Sequence, residues 1–263
     1  MSPFHVDSPD YYERHWQANR LERSAELDEK IRILEELIPS DVHTILDVGC
    51  GNGLITNALL ERYAVTGVDR SATALSHVQA PTICASADQI PVPDHAFDMV
   101  LSSELLEHLP APILAGAARE MSRIAKRHLL IAVPNREYLR KRFTRCHACG
   151  LEFHAYLHQH SFTPEGLDAL FPEFRRLDTR TCGSREVPSH PALDKLRQRG
   201  GRHWFVPSDD LHCPSCDMPI SALARSLPRR AIGRAADALN LLYRLVVPSE
   251  PFWLIARYER RTP

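Results

Sequence analysis

The 263-residue chain is 44% hydrophobic and 25% charged with a net charge of −1, a profile that suits one large globular domain carrying an inserted subdomain and leaves two full domains cramped. Near-neutral charge excludes any global attraction to nucleic acid or to a membrane, so such attraction must be local. No apolar run reaches the roughly 18–20 residues that span a bilayer, and the opening stretch MSPFHVDSPDYYERHW has no signal-peptide core, so a cytoplasmic location is expected.

In chain order, residues 8–37 read as a helix: Ser8 and Pro9 suit its start, Leu27, Ile31, Leu34 and Leu37 recur at helical spacing, and Pro39 stops it. Strands are expected at 44–48, 64–68, 82–84, 97–101, 128–133 and 174–181, with a last one at 251–260. Helices fall between them at 53–62, 71–78, 111–125 and from Thr163 to Phe171. Alternation of this kind argues for an α/β fold with a parallel sheet covered on both faces. No internal repeat or low-complexity segment is evident.

The stretch TILDVGCGNG, Thr44 to Gly53, organises the rest. An apolar strand enters a turn with glycines at 49, 51 and 53 and leaves as a helix, so the backbone turns sharply and approaches a ligand at the edge where α/β sheets bind cofactors. Asp69 ends the second strand 22 residues after Asp47, where a carboxylate accepts hydrogen bonds from ribose hydroxyls. The glycine spacing lacks the third glycine of the dinucleotide fingerprint. Cys50 in the turn and Cys84 on a short strand read as small buried fillers rather than nucleophiles.

Four pieces in register, LDVGCGNG at 46–53, VD at 68–69, AD at 87–88 and FDMVLSSELLEHL at 97–109, resemble the class I S-adenosylmethionine-dependent methyltransferases, specifically those with a methyltransferase-11-like domain. The likeness covers about residues 40–180 and the final strand. It implies a Rossmann-like, seven-stranded, mostly parallel sheet whose last strand runs antiparallel between strands five and six. It also implies a cofactor role for Asp47, Gly49, Cys50, Gly51, Asp69, Arg70, Asp88, Gln89 and Ser102, with the two glycines under the methionine part, Asp69 on the ribose and Asp88 on the adenine. Tyr12, with Tyr11 and Trp16, would fold over the cofactor or pack the first helix onto the domain. For an alcohol acceptor His108 is the candidate general base, with His154, His158 and His160 behind it; alternatively Glu107 and His108 only hydrogen-bond within the fold.

A second constellation is Cys146, Cys149, Cys213 and Cys216, two C-x-x-C pairs with 63 residues between them. Among seven cysteines such spacing points to metal before disulfides in a reducing compartment, and four thiolates suit tetrahedral structural zinc. A histidine among His147, His154, His158, His160, His203 and His212 replacing one thiolate, two unrelated pairs, or a redox dithiol are the competing readings. Around the cysteines lie Arg136, Arg140, Lys141, Arg142 and Arg145 with one acid, Glu137, and then Arg225, Arg229, Arg230 and Arg234 with none. These runs are solvated helix faces or the lining of an anionic substrate site. The helix read at 226–248 either packs within the protein or rests on a membrane surface.

The organisation expected is a helical segment at 1–40, a core at 41–135, 160–182 and 250–261, and zinc-clipped insertions at 136–159 and 183–249. The activity expected is methyl transfer to oxygen of a small-molecule or glycan-type acceptor, anionic, phosphate-bearing or lipid-linked. An RNA methyltransferase gripping phosphates through the cysteine and arginine module is the alternative, and a non-catalytic scaffold is a third.

Overall fold

The structure, a computed structural model, describes residues 13, 16, 23–187, 190–199, 211–220 and 227–262. The chain divides into two compact units. The larger takes Pro9–Asn135, Phe162–Ser184 and Pro251–Pro263; the inserted unit takes Arg136–Ser161 and Arg185–Glu250.

The larger unit opens with α1, Ala25–Leu37. The continuous helix expected over 8–37 is not what forms: Ser24 is extended and its hydroxyl accepts the Leu27 amide, so it caps a new helix start. Strand β1 (Thr44–Val48) and helix α2 (Leu54–Leu59) follow, then β2 (Ala64–Asp69), α3 (Ala72–Leu75), β3 (Thr82–Cys84) and β4 (Phe97–Ser103). A 3₁₀ turn at Leu106–His108 leads to α4 (Ala111–Ile124) and β5 (Ala125–Pro134). After the first insertion come α5 (Pro164–Leu170) and β8 (Phe174–Glu186), and β9 (Glu250–Arg260) closes the sheet.

The seven strands lie in the order β3-β2-β1-β4-β5-β9-β8. The pairs from β3 to β5 are parallel, and β9 is antiparallel to β5, with Leu130 opposite Arg257. Both faces are covered, and successive residues show it. Leu46, Val100, Leu129 and Leu254 join one apolar cluster, while Ile45, Met99, Leu130 and Ile255 join the other. The first cluster is closed by Leu114, Met121 and Leu167 of α4 and α5, the second by Leu34 and Leu37 of α1 and Leu59 of α2. Cys84 corrects one expectation: β3 is the sheet edge, and its thiol is exposed rather than buried.

With β1 flanked by β2 on one side and β4 on the other, the strand order reverses at its carboxyl end, the place where open α/β sheets hold ligands.

The inserted unit contains a hairpin of β6 (Phe143–Arg145) and β7 (Glu152–His154), and two helices, α6 (Pro191–Arg199) and α7 (Leu227–Val246). Among the described residues no helix is long and apolar enough to cross a membrane.

Candidate active site and metal centre

The turn after β1 is built from left-handed backbone. Gly49, Gly51 and Gly53 have φ of 79°, 53° and 79°, a region that a residue with a Cβ enters at a cost. The Gly49 and Cys50 amides donate to the Val68 carbonyl at 2.7 and 3.0 Å, which ties the turn to the end of β2. A Cβ on Gly51 would lie 2.7 Å from the Trp16 ring, so Trp16 covers this turn. The Glu13 carboxylate accepts the Ala72 and Thr73 amides at the start of α3. Tyr12 lies outside the described residues.

Asp69 accepts the Gly51 amide through one oxygen and the Ser71 amide through the other, both at 2.9 Å. Burial raises its pKa, against the pull of those two amides. Asp47 is fully buried below the turn, accepting the Thr56 hydroxyl at 2.6 Å. Burial pushes its carboxyl up to about 6, with the Thr56 bond opposing. The Cys50 thiol is likewise pushed up by burial and sits against Gly67, so it fills space and is a poor nucleophile.

The other expected residues are distributed around the carboxyl ends of the strands. Asp88, half-buried, accepts the Ser86 hydroxyl and packs against Gly116 of α4. Gln89 is exposed and Arg70 half-buried. The Ser102 hydroxyl is committed to the Val48 carbonyl at 3.0 Å, bracing β4 against β1 from a buried position. His108 ends the 3₁₀ turn after β4, half-buried beside the fully buried Glu107.

In the inserted unit the four cysteines converge. Cys146 and Cys216 have sulfurs 3.5 Å apart, Cys149 and Cys213 3.6 Å, and all four lie within 4.8 Å of one another. Those separations are too long for disulfides. They sit close to the edge of about 3.8 Å that four sulfurs make around zinc at about 2.3 Å.

The two halves are the same turn made twice. The Cys146 amide donates to the Leu151 carbonyl and the Gly150 amide to the Cys146 carbonyl; the Cys213 amide donates to Met218 and the Asp217 amide to Cys213. Gly150 and Asp217 are both left-handed, with φ of 76° and 58°. Such a donor set fits zinc, which Cys146, Cys149, Cys213 and Cys216 would hold. Among the described residues no histidine joins this group; His203 lies outside them.

Residues 46–132 match the family model described as a methyltransferase domain. That stretch is similar to a methyltransferase domain, and the sheet around it has the class I methyltransferase fold. Two curated relatives are a malonyl-[acyl-carrier protein] O-methyltransferase of Halorhodospira halophila, 35% identical over 41% of this chain and 41% of that protein, and a ubiquinone biosynthesis O-methyltransferase of Alkalilimnicola ehrlichii, 37% identical over 35% and 42%. The matched part thus spans about two fifths of each relative's length. The fold also matches the N-methyltransferase NodS from Bradyrhizobium japonicum in complex with S-adenosyl-L-homocysteine, with a TM-score of 0.56 at 15% identity over 96% of this chain and 98% of that one. A 1,6-didemethyltoxoflavin-N1-methyltransferase of Burkholderia thailandensis gives a TM-score of 0.54 at 14% identity over 97% and 87%.

Two groups in the protein have no counterpart in the sequence reading. In the larger unit Lys30 is buried at 2% exposure, its Nζ 3.2 Å from Ser103 Oγ, 3.3 Å from Glu104 Oε1 and 4.2 Å from the centre of the Trp253 ring. Its signal was position: Lys30 shares a helical stripe with Leu34 and Leu37. In the inserted unit Glu137 is a buried hub, with Arg142 at 2.7 Å and His154 at 3.3 Å from one oxygen and His158 at 2.5 Å from the other. Burial works to raise its carboxyl, but His154 and His158 hold it far below the usual carboxylate range. The lone acid in a basic run was the signal here.

The Glu137 group also fixes histidine chemistry. His154 Nδ1 accepts the Tyr156 and His158 amides, both at 3.2 Å, so its proton sits on Nε2, toward Glu137, and that nitrogen has no lone pair for a metal. Arg142 is spent on Glu137 and Glu186, and Lys141 on Glu186 at 2.7 Å. Arg142 is therefore a structural cation rather than a substrate ligand. Cations do gather at one opening of the inserted unit: Lys141, Arg197 and Arg244 with Asn240 and Val187 line a cavity of about 180 Å³.

Proposed function

We propose that this protein transfers the methyl group of S-adenosylmethionine to an oxygen of an anionic small-molecule or glycan-type acceptor. The observation that carries the reading is the turn itself: three left-handed glycines, of which Gly51 lies under Trp16 and donates to an Asp69 that closes β2. Its backbone and carboxylate suit the amino-acid and ribose parts of such a donor. The sulfonium supplies an activated methyl group, and displacement there needs alignment and exclusion of water more than acid-base machinery.

Oxygen as acceptor is supported by the names of the two curated relatives, both O-methyltransferases. His108, at the end of the 3₁₀ turn after β4, is the base that would take the hydroxyl proton. Preference for a negatively charged acceptor is supported by Arg244, which lines the cavity of the inserted unit beside Lys141 and Arg197, themselves paired with Glu186 and Asp237. The four-cysteine zinc site is structural in this reading, because a closed set of thiolates leaves no position for water or substrate.

Calorimetric titration of the donor and of S-adenosylhomocysteine into the purified protein tests the first half. Asp69→Ala should weaken binding at least about tenfold, the loss expected when a charged hydrogen-bond partner is removed. Absence of binding to the parent protein would end the proposal. A screen of phosphorylated sugars and polyols with labelled donor tests the second half. Label on a hydroxyl oxygen, stable to alkali as an ether is, would support the oxygen assignment, and label on nitrogen would overturn it.

A further inference from the structure

Helix α7 is put together inside out. Its 20 residues, Leu227–Val246, make a rod of about 30 Å, and the side it turns toward α6 is the polar one. There Asp237 pairs with Arg197 at 3.6 Å and Tyr243 meets His190 edge-on with rings 5.5 Å apart. Gly233 and Ala236 are the buried positions of that side. The opposite side is apolar and open. Leu239 is 46% exposed, Leu241 and Leu242 61%, Leu245 76% and Val246 79%, and Ala235 and Ala238 lie between them at helical spacing.

A contiguous apolar ridge left in solvent marks a surface that something covers, and its charge says what. The helix carries four arginines, at 229, 230, 234 and 244, against one acid, Asp237, which Arg197 already holds. Arg234 is exposed, whereas Arg244 lies on the α6 side, in the lining of the cavity with Lys141 and Arg197. A second copy of the same face would bring arginine against arginine with no acid between them. An anionic lipid surface meets both features, taking the leucines below its headgroups and the Arg234 guanidinium at its phosphates.

We propose that α7 is an in-plane docking helix that seats the inserted unit on an anionic bilayer. The segment is not apolar enough to span, so it lies along the interface with Leu242, Leu245 and Val246 downward. This inference stands on the exposed face and the charge of α7 and does not depend on the identity of the methyl acceptor.

Cosedimentation of the full chain with vesicles tests it, using phosphatidylcholine alone and phosphatidylcholine with a third of phosphatidylglycerol. Binding should be at least about tenfold tighter to the anionic vesicles and weaken with salt. The double variant Leu242→Glu/Leu245→Glu should lose it while keeping the parent's circular dichroism, since both side chains already face water. In a Leu245→Trp variant, emission should shift to the blue on anionic vesicles, which reports entry of that position into the bilayer. Failure of the parent protein to bind either vesicle would overturn the proposal, as would equal binding to both. So would a dimer in sedimentation equilibrium that the double glutamate variant converts to monomer, because the occupant would then be a second copy.

Discussion

Gly51 donates its amide to the Asp69 carboxylate across 2.9 Å, so the tightest point of the turn after β1 and the last residue of β2 are held as one piece. Neither residue can be changed without moving the other. The same glycine lies under Trp16 with φ of 53°.

Gly51→Ala therefore meets two obstacles at once. A Cβ in the left-handed region costs about 1–2 kcal/mol, and here it also meets the indole at 2.7 Å. The expected outcome is at least a tenfold loss of donor affinity by calorimetry, with a melting temperature lower by a few degrees. An alanine variant that bound the donor as well as the parent would mean that the turn is not the binding element.

Asp47 should make stability depend on pH in an unusual direction. Its carboxyl is raised from 3.8 to about 6 by burial, so the folded state resists its ionisation, and stability is greatest below the unfolded pKa and falls as pH rises toward 6. Asp47→Asn stays neutral and still accepts the Thr56 hydroxyl. In denaturant titrations without donor, the variant should gain on the parent between pH 4 and 6, approaching about 3 kcal/mol for a shift of about two pKa units. A difference independent of pH would show that Asp47 is already compensated.

Zinc should be found at about one per chain by metal analysis of the purified protein, as four thiolates on one ion require. Cys213→Ser or Cys216→Ser should release it and lower the thermal stability of the inserted unit, while donor affinity stays within about twofold because the donor site belongs to the other unit. Chelation should do the same to the parent. No metal in the parent would leave the four converging thiols without a role.

Glu137 should be the most sensitive residue of the inserted unit. Replacement by Ala removes the buried partner of Arg142 and of two histidines, a class of change that costs about 3–5 kcal/mol. Because its folded pKa is depressed, the contribution is complete above the unfolded value of 4.5 and disappears as pH falls. His154 adds to this: burial lowers its pKa below 6.5, so the folded unit resists its protonation. The difference between Glu137→Gln and the parent, followed by denaturant titration, should shrink as pH drops through 4.5. A constant difference would place the effect in packing rather than charge.

The core was legible in the sequence where one residue type had one physical use. Strands β1 and β3 lie where their apolar runs put them, and the family likeness anticipated the sheet order, with β9 between β5 and β8. The start of α1 was less legible. Residues 8–37 carry enough helical spacing for a single helix, yet Ser24 interrupts it by capping, and a serine competes with a helix only where the chain is free to turn. Cys84 was misread for a related reason, since a short apolar strand looks the same at a sheet edge as at its centre.

In the inserted unit the two C-x-x-C pairs announced themselves by spacing, whereas their neighbours did not. Asp217 takes the left-handed place that Gly150 holds in the other turn, and nothing in an Asp states that. Arg142 looked like a ligand for phosphate and is bound to Glu137 and Glu186 instead.

The glycine turn, the acidic end of β2 and the paired cysteines were determined by sequence alone, because close backbone approach, charged hydrogen bonding and thiolate spacing are local demands that few residues satisfy. Only the tertiary structure decided which cations are already spent, which carboxylates are buried and which side of α7 is left in water. Those depend on partners distant along the chain, such as Lys30 with Glu104, Glu137 with His158 and Arg197 with Asp237, and burial belongs to the packed whole rather than to any one residue.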